Sequence, residues 1–324
     1  WDARSLMSML NFGRYVELSH QVSVGIQGIY TCRAIKPGFG VVRELNFPNL
    51  ITNIGMNSLG TGLGWAAMQL GTGTTTPAFT DTALAAYGVG IASAPTSNVN
   101  GVSGTSPYYG YRRMTWLSTV GGATGNWTEI GVSSTGTTGN LRSRALIVDN
   151  LGNPTTFPVL ADEQFQGTYE IRFYAPVSAV NANINLSGTS YTTTTRALRV
   201  TDANSWGPGL AGSNPDGLFR PQVGTLNSSS SSPFTGGLAA VTASVPLGTN
   251  ITSGSATLVG GTYTSDTFYK ECGVRYGAGA GVGNINTIQY IMQGGAFQIA
   301  YSPVIPKLTT EELITWIRTT WTRI

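Results

Sequence analysis

Along much of this chain apolar residues recur at every second position, the period of a strand with one buried face. In Gln21–Leu45 (QVSVGIQGIYTCRAIKPGFGVVREL) Val22, Val24 and Ile26 alternate with small or polar residues, and the run breaks at Lys36-Pro37-Gly38-Phe39-Gly40, so a β-hairpin is predicted. Gly167–Tyr174 sets Tyr169, Ile171 and Phe173 against Glu170, Arg172 and Tyr174, one face for a core and one for water. Tyr108–Thr119 and Asn126–Val132 are aromatic and β-branched runs between glycine-rich turns. A strand at Ala145–Val148, a turn at Asp149–Pro154 and a returning strand at Thr155–Leu160 make the clearest local signal.

Helical spacing occurs in Asn49–Gly60, where Leu50, Ile51, Ile54, Met56 and Leu59 predict one short helix near 49–60 closed by a left-handed Gly60. At the C-terminus Thr309–Glu312 resembles a capping box. Ile314, Trp316 and Arg318 nevertheless alternate with Thr315, Ile317 and Thr319, and the aromatic and β-branched content favours a strand. Gly71–Pro107, with Asp81 its only charge, reads as loop with brief strands. The uncharged span Pro221–Ser265 reads as loop-rich β structure in which VTASVPL and SATLV are strand candidates. The fold class is therefore all-β: a predominantly antiparallel β-sandwich or barrel-like structure. A composition shift near Trp206 suggests a division into 1–205 and 206–324.

Composition sharpens this picture in one respect. Charged residues make up 10 % of the 324, against roughly 25 % in ordinary domains, so hydroxyls and amides must carry solubility. The 18 Lys+Arg and 15 Asp+Glu are spread along the chain, and Arg112–Arg113 is the only adjacent basic pair, which argues against a nucleic-acid partner. Lysine occurs only at Lys36, Lys270 and Lys307, and arginine elsewhere favours planar, multidentate contacts of the kind found in assemblies. No run approaches the length of a membrane helix, and WDARSLMSML is too short and mixed for a secretory signal, so no membrane association is expected. The start at Trp1 reads as a trimmed N-terminus or as numbering from the first ordered residue.

Candidate chemistry is sparse. His20 is the only histidine, no G-x-S-x-G elbow occurs, and Asp162–Glu163, adjacent on a strand, would face opposite ways. The run Gly277–Gly283 lacks the Lys-Ser/Thr of a phosphate loop. Cys32 and Cys272 have no metal-like spacing and are expected as buried free thiols. No catalytic residue, metal or cofactor is expected. Tyr108, Tyr109 and Tyr111 suit sugar stacking, although aromatic strand residues more often anchor cores or interfaces. Within Thr310–Ile324, Trp316 and Trp321 stand beside Arg318 and Arg323, the residue types most enriched at interface hot spots; completion of the chain's own core is the rival role.

Four segments taken in order carry a resemblance: NFPNLITNIGMNSLG (46–60), LGTGTTTPAFTDTALA (70–85), GNWTEIGVSS continuing to LRSRALIVDNLGNPTTFPVLADEQFQGTYEIRFY (125–174), and GGAFQIAYSPVIPK (294–307). Together they resemble structural proteins of tailed-bacteriophage virions, of the tail, collar or fibre kind. The resemblance implies a symmetric homo-oligomer docked on other virion proteins, located in the virion after assembly in the host bacterial cytoplasm. It brings no catalytic residues. The alternative is a receptor- or glycan-binding module of a fibre, with a host surface glycan as partner; an enzyme ranks third.

Overall fold

The computed structural model describes residues 15–62, 64–91, 95–186, 189–208, 217–251 and 253–324. It is 54 % strand and 4 % helix, which makes the chain all-β. The first half runs β1 (Tyr15–Lys36), β2 (Gly40–Ile51), α1 (Asn53–Thr61), β3 (Ala67–Gly71), β4 (Tyr87–Ile91), β5 (Ser97–Val102) and β6 (Tyr109–Leu117). It continues with β7 (Gly125–Trp127), β8 (Glu129–Ser133), β9 (Leu141–Leu146), β10 (Phe157–Val159) and β11 (Gln164–Tyr174). Then come β12 (Val180–Leu186), β13 (Thr189–Ala197), the single turn α2 (Ala203–Trp206), β14 (Gly224–Thr225), β15 (Ser232–Phe234) and β16 (Ser255–Gly260). Four long strands close the chain: β17 (Tyr269–Tyr276), β18 (Gly283–Met292), β19 (Gly295–Lys307) and β20 (Glu312–Arg323).

Strand β1 organises everything else. Its even-numbered residues from Leu18 to Ala34 are buried without interruption, including Val22, Val24 and Ile26, while the odd-numbered ones face outward. Its first half pairs in parallel with β20, from Tyr15 opposite Glu312 to Ile26 opposite Arg323. Its second half pairs antiparallel with β11 on one side and with β2, through the turn at 36–40, on the other. One large sheet results, in the order β14-β16-β17-β20-β1-β2-β9-β8-β3-β4 with β11, β6 and β5 branching from β1. A second sheet, β12-β13-β19-β18-β15, packs on the β1–β20–β17 part, where Tyr301 meets His20 and Thr319 meets the Met292 sulfur. Under the other half of β1, Tyr30 bonds Ser143 of β9, Trp65 stacks on Tyr169, and the Trp116 indole N–H donates to Ala66 O. These buried side chains form one continuous apolar core.

Three local expectations change. Leu50 and Ile51 are not helical: β9 captures them as strand, opposite Arg144 and Ser143. The helix starts at Asn53 instead, because Thr52 caps it by accepting Gly55 N–H (3.1 Å), and it ends at a left-handed Gly62 (φ 73°), not Gly60. The hairpin predicted about Asp149–Pro154 closes at its turn, where Val148 bridges Pro154 and Thr155 N–H donates to Ile147 O (2.9 Å), but the returning strand then leaves β9, which is paired with β2 and β8; β10 pairs with β7, placing Phe157 opposite Trp127. VTASVPL forms turns, whereas SATLV forms β16 as expected. At the C-terminus the strand reading holds, and Cys32 and Cys272 are buried free thiols.

The buried His20 imidazole lies 2.8 Å from the Tyr301 hydroxyl, and burial lowers its pKa from 6.5 to about 3. Between those values the unfolded chain binds a proton that the folded chain refuses, so stability falls as the pH drops through the window. From pH 7 to pH 5 the loss is about 2 kcal/mol. Urea unfolding at the two pH values measures it, and His20→Gln is expected to flatten the difference.

Candidate functional site

Strand alternation divides the four C-terminal candidates. Leu313, Thr315, Ile317, Thr319 and Trp321 point into the core, and Trp321 is 1 % exposed. Its ring stacks on Phe219 at 5.1 Å, and its N–H donates to Met56 O. Arg323 closes the same face, donating to Ile51 O (2.6 Å) and Asn53 Oδ1 (2.7 Å), with its guanidinium over Phe79. Trp316 and Arg318 lie on the outer face. Trp316 lies against Gly273, where a Cβ would come within 3.1 Å of the indole, so the ring sits closely on the bare backbone. Arg318 pairs with Glu271 (2.7 Å) and covers Tyr269. Trp321 and Arg323 thus serve the chain's own packing, and the four do not share one surface.

A different surface stands open at the far end of β1. The hairpin of β1 and β2 projects past its neighbours, and residues 37–42 are exposed on both faces. Phe39 at its apex is 77 % exposed, with Val41 and Val42 beside it. The loops at 119–124 and 158–163 reach the same end, held by Gly121 N–H to Glu163 O, and expose Val120 and Leu160. Ion pairs frame this apolar end. Lys36 bonds Asp162 at 2.7 Å, which holds the Asp162 carboxyl below its ordinary value, and Arg43 pairs with Glu163. The adjacent carboxylates Asp162 and Glu163 are therefore both tied into ion pairs. A large aromatic at a turn apex, where Gly, Asn and Ser normally sit, was the available sequence signal for this surface, and sequence reasoning passed over it.

The outer face of β2, β1, β11, β6 and β5 is the wet face expected from Glu170, Arg172 and Tyr174. One register row runs Asn46, Thr31, Thr168, Thr115, Ser97. Arg33 meets Glu44 at 2.7 Å, and Arg113 and Arg172 converge on Glu170. Tyr109 and Tyr111 lie beneath Arg172 and Arg113 at 4.5 and 5.0 Å. Every charge in this trough is answered within it, so the face is a solvated ladder. Arg112, next to Arg113, points the other way and is buried, which splits the only adjacent basic pair.

Beneath the surface a buried ionic knot joins the segments 70–85 and 125–174. The fully buried Glu129 carboxylate accepts from Gly73, Ala85 and Ala86 N–H and from Arg144 Nε (2.9 Å). Arg144 in turn bonds Asp81 (2.7 Å) and Thr75. A Cβ on residue 73 would lie 2.4 Å from Glu129 Oε1, so the close approach requires glycine there. The loop from 72 to 86 is thereby clamped onto β8 and β9.

Among the described residues no group of three or more His, Cys, Asp or Glu could hold a metal ion, and no helix is long and apolar enough to cross a membrane. No family model, curated protein or solved structure matches this chain.

Two substitutions test the roles assigned to buried groups. Trp321→Ala is expected to cost about 3–5 kcal/mol in denaturant unfolding, because it opens a cavity in the shared core. Glu129→Gln leaves Arg144 with a weakened counter-charge in a buried setting, and a loss of about 3 kcal/mol is expected. Hydrogen exchange at the Ala85 and Ala86 amides should rise well before that of β1.

Proposed function

We propose that this chain is a structural protein of a tailed-bacteriophage particle that works by self-association through the projecting end of the β1–β2 hairpin, with other virion proteins as further partners. The observation that carries the reading is the apolar apex: Phe39, Val41 and Val42 stand in water on a rigid hairpin whose remaining length is tightly paired. Exposed apolar groups gathered at one place, rather than scattered, are a mark of an interaction surface. The rim favours a second copy of this chain as the occupant. Its charges come in balanced pairs, Lys36 with Asp162 and Arg43 with Glu163, so a rotated copy offers each cation a carboxylate and each carboxylate a cation. The virion setting is supported by the resemblance of the four sequence segments, and low charge suits surfaces buried against copies, since desolvating charges is costly.

Sedimentation velocity of the purified chain is expected to show an oligomer, and the double variant Phe39→Asp, Val41→Asp is expected to shift it to monomer with an unchanged circular dichroism spectrum. Anchors of this kind contribute about 2 kcal/mol or more each. A wild type that stays monomeric at high concentration, or an oligomer indifferent to the double variant, overturns the reading. Labelling of this protein on purified particles tests the virion assignment separately.

A further inference from the structure

A second site lies where β9 meets α1. In the antiparallel pairing of β8 with β9, Val132 faces Ser143 and Ser133 faces Leu141, so Arg142 is the extra residue of a β-bulge. Bulges re-aim a side chain and recur next to functional sites. The backbone just before it is also unusual: Gly139 and Asn140 both have positive φ, 93° and 50°. Asn140 has a Cβ and sits in the sparsely populated left-handed region. On the other side the chain is pinned, because Arg142 O accepts Thr52 N–H at the helix cap, and a Cβ on Gly55 would lie 2.0 Å from that oxygen. The bulge is therefore held rigidly against the start of α1.

The side chain so placed has a charge without an answer. Arg142 is 3 % exposed, and its Nε and Nη1 have no hydrogen-bond partner among the described residues. Burial without a counter-charge lowers its pKa to about 10, which still leaves it cationic at neutral pH. The other buried arginine of β9 shows the contrast, since Arg144 is matched by Glu129 and Asp81. A buried cation left alone is strongly unfavourable, and such a group in a folded protein calls for a partner. Arg142 helps to wall an open cleft of about 420 Å³ that also exposes Ser134, Asn140 and Ser265. Those three side chains make no hydrogen bond to the described residues. Among the described residues no carboxylate lines the cleft.

We propose that this cleft binds a small polyhydroxylated carboxylic acid, the chemistry of a hexuronic acid unit, with its carboxylate answering the Arg142 charge and its hydroxyls meeting Ser134, Asn140 and Ser265. The charge count selects a carboxylate over phosphate: one guanidinium among neutral groups balances one negative charge, and no lysine or second arginine is present to match a dianion. The size admits a sugar acid: the volume falls within the range of small-molecule sites, and Ser134, Asn140 and Ser265 offer hydroxyl and amide groups on a wall that is otherwise largely apolar, as the faces of a sugar ring require. The site shares no residue with the hairpin end, so it stands or falls independently of the assembly reading.

The full chain titrated calorimetrically with sodium glucuronate is expected to show saturable binding, with glucose and inorganic phosphate each at least about tenfold weaker. Arg142→Met is expected to abolish glucuronate binding while leaving the melting temperature equal or higher, because it removes an unmatched buried charge. Ser134→Leu, which fills the cleft and leaves the guanidinium in place, is expected to abolish binding as well; it carries the test if Arg142→Met fails to fold. Absence of saturable glucuronate binding, equal binding of glucose or phosphate, binding unaffected by Ser134→Leu, or saturable binding only of a glutamate-containing peptide overturns the proposal.

Discussion

The structure depends on a single strand keeping one phase over its whole length. From Leu18 to Ala34 every even residue of β1 is inside. Those residues serve two differently built halves of the core, one beneath the sheet of β18 and β19 and one beneath β8 and β9. A slip of one residue would turn the whole set to solvent. Only a strand with unbroken alternation can be shared in this way. The consequence for topology is that β20, the last strand, runs parallel beside the first half of β1 and joins the two ends of the described chain in one ladder. Such a pairing spans nearly the full sequence, so the entropy of closing that loop has to be met before the contact contributes.

With so few charges, their placement is informative. Most are committed to specific partners. Glu129, Arg144 and Asp81 clamp a loop, Glu170 gathers Arg113 and Arg172, and Arg275 and Arg318 face Glu312 and Glu271 across β17 and β20. The knot around Glu129 gives TEIGV, DTAL and LRSRAL a shared physical role, since the three meet there in space. Their co-occurrence is a packing constraint on one buried carboxylate: the loop must supply three N–H donors, a glycine must let them approach, and an arginine must neutralise the charge.

Not every group is matched, and two of the unmatched places open onto the surface. The hairpin end leaves apolar surface in water, and the bulge on β9 leaves a guanidinium without a counter-ion. Both costs are borne by rigid elements, a paired hairpin and a pinned strand, so neither is relieved by local collapse. Both proposals rest on the same argument, that an unsatisfied group on a rigid frame is open to a partner from outside.

What the sequence determined by itself was everything that depends on local period and turn chemistry. The all-β class, the hairpin about Lys36–Gly40, the buried faces of β1 and β11, and the strand character of the C-terminus follow from alternation at period 2 together with Gly and Pro placement. The tertiary structure decided which strands meet. Nothing local tells Phe157–Val159 to leave the hairpin and pair with β7, or Leu50 and Ile51 to join β9 instead of the helix, because those outcomes depend on which edges other strands already occupy. Trp321 reads in sequence, like Trp316, as either an interface anchor or a core residue, and only the packing of α1 and Phe219 over β20 makes it core. Arg142 and Arg144 are two residues apart in LRSRAL and look equivalent. A bulge and the arrival of Glu129 from another strand give one a partner and leave the other alone, since charge matching is settled across strands, at separations along the chain that a period cannot encode.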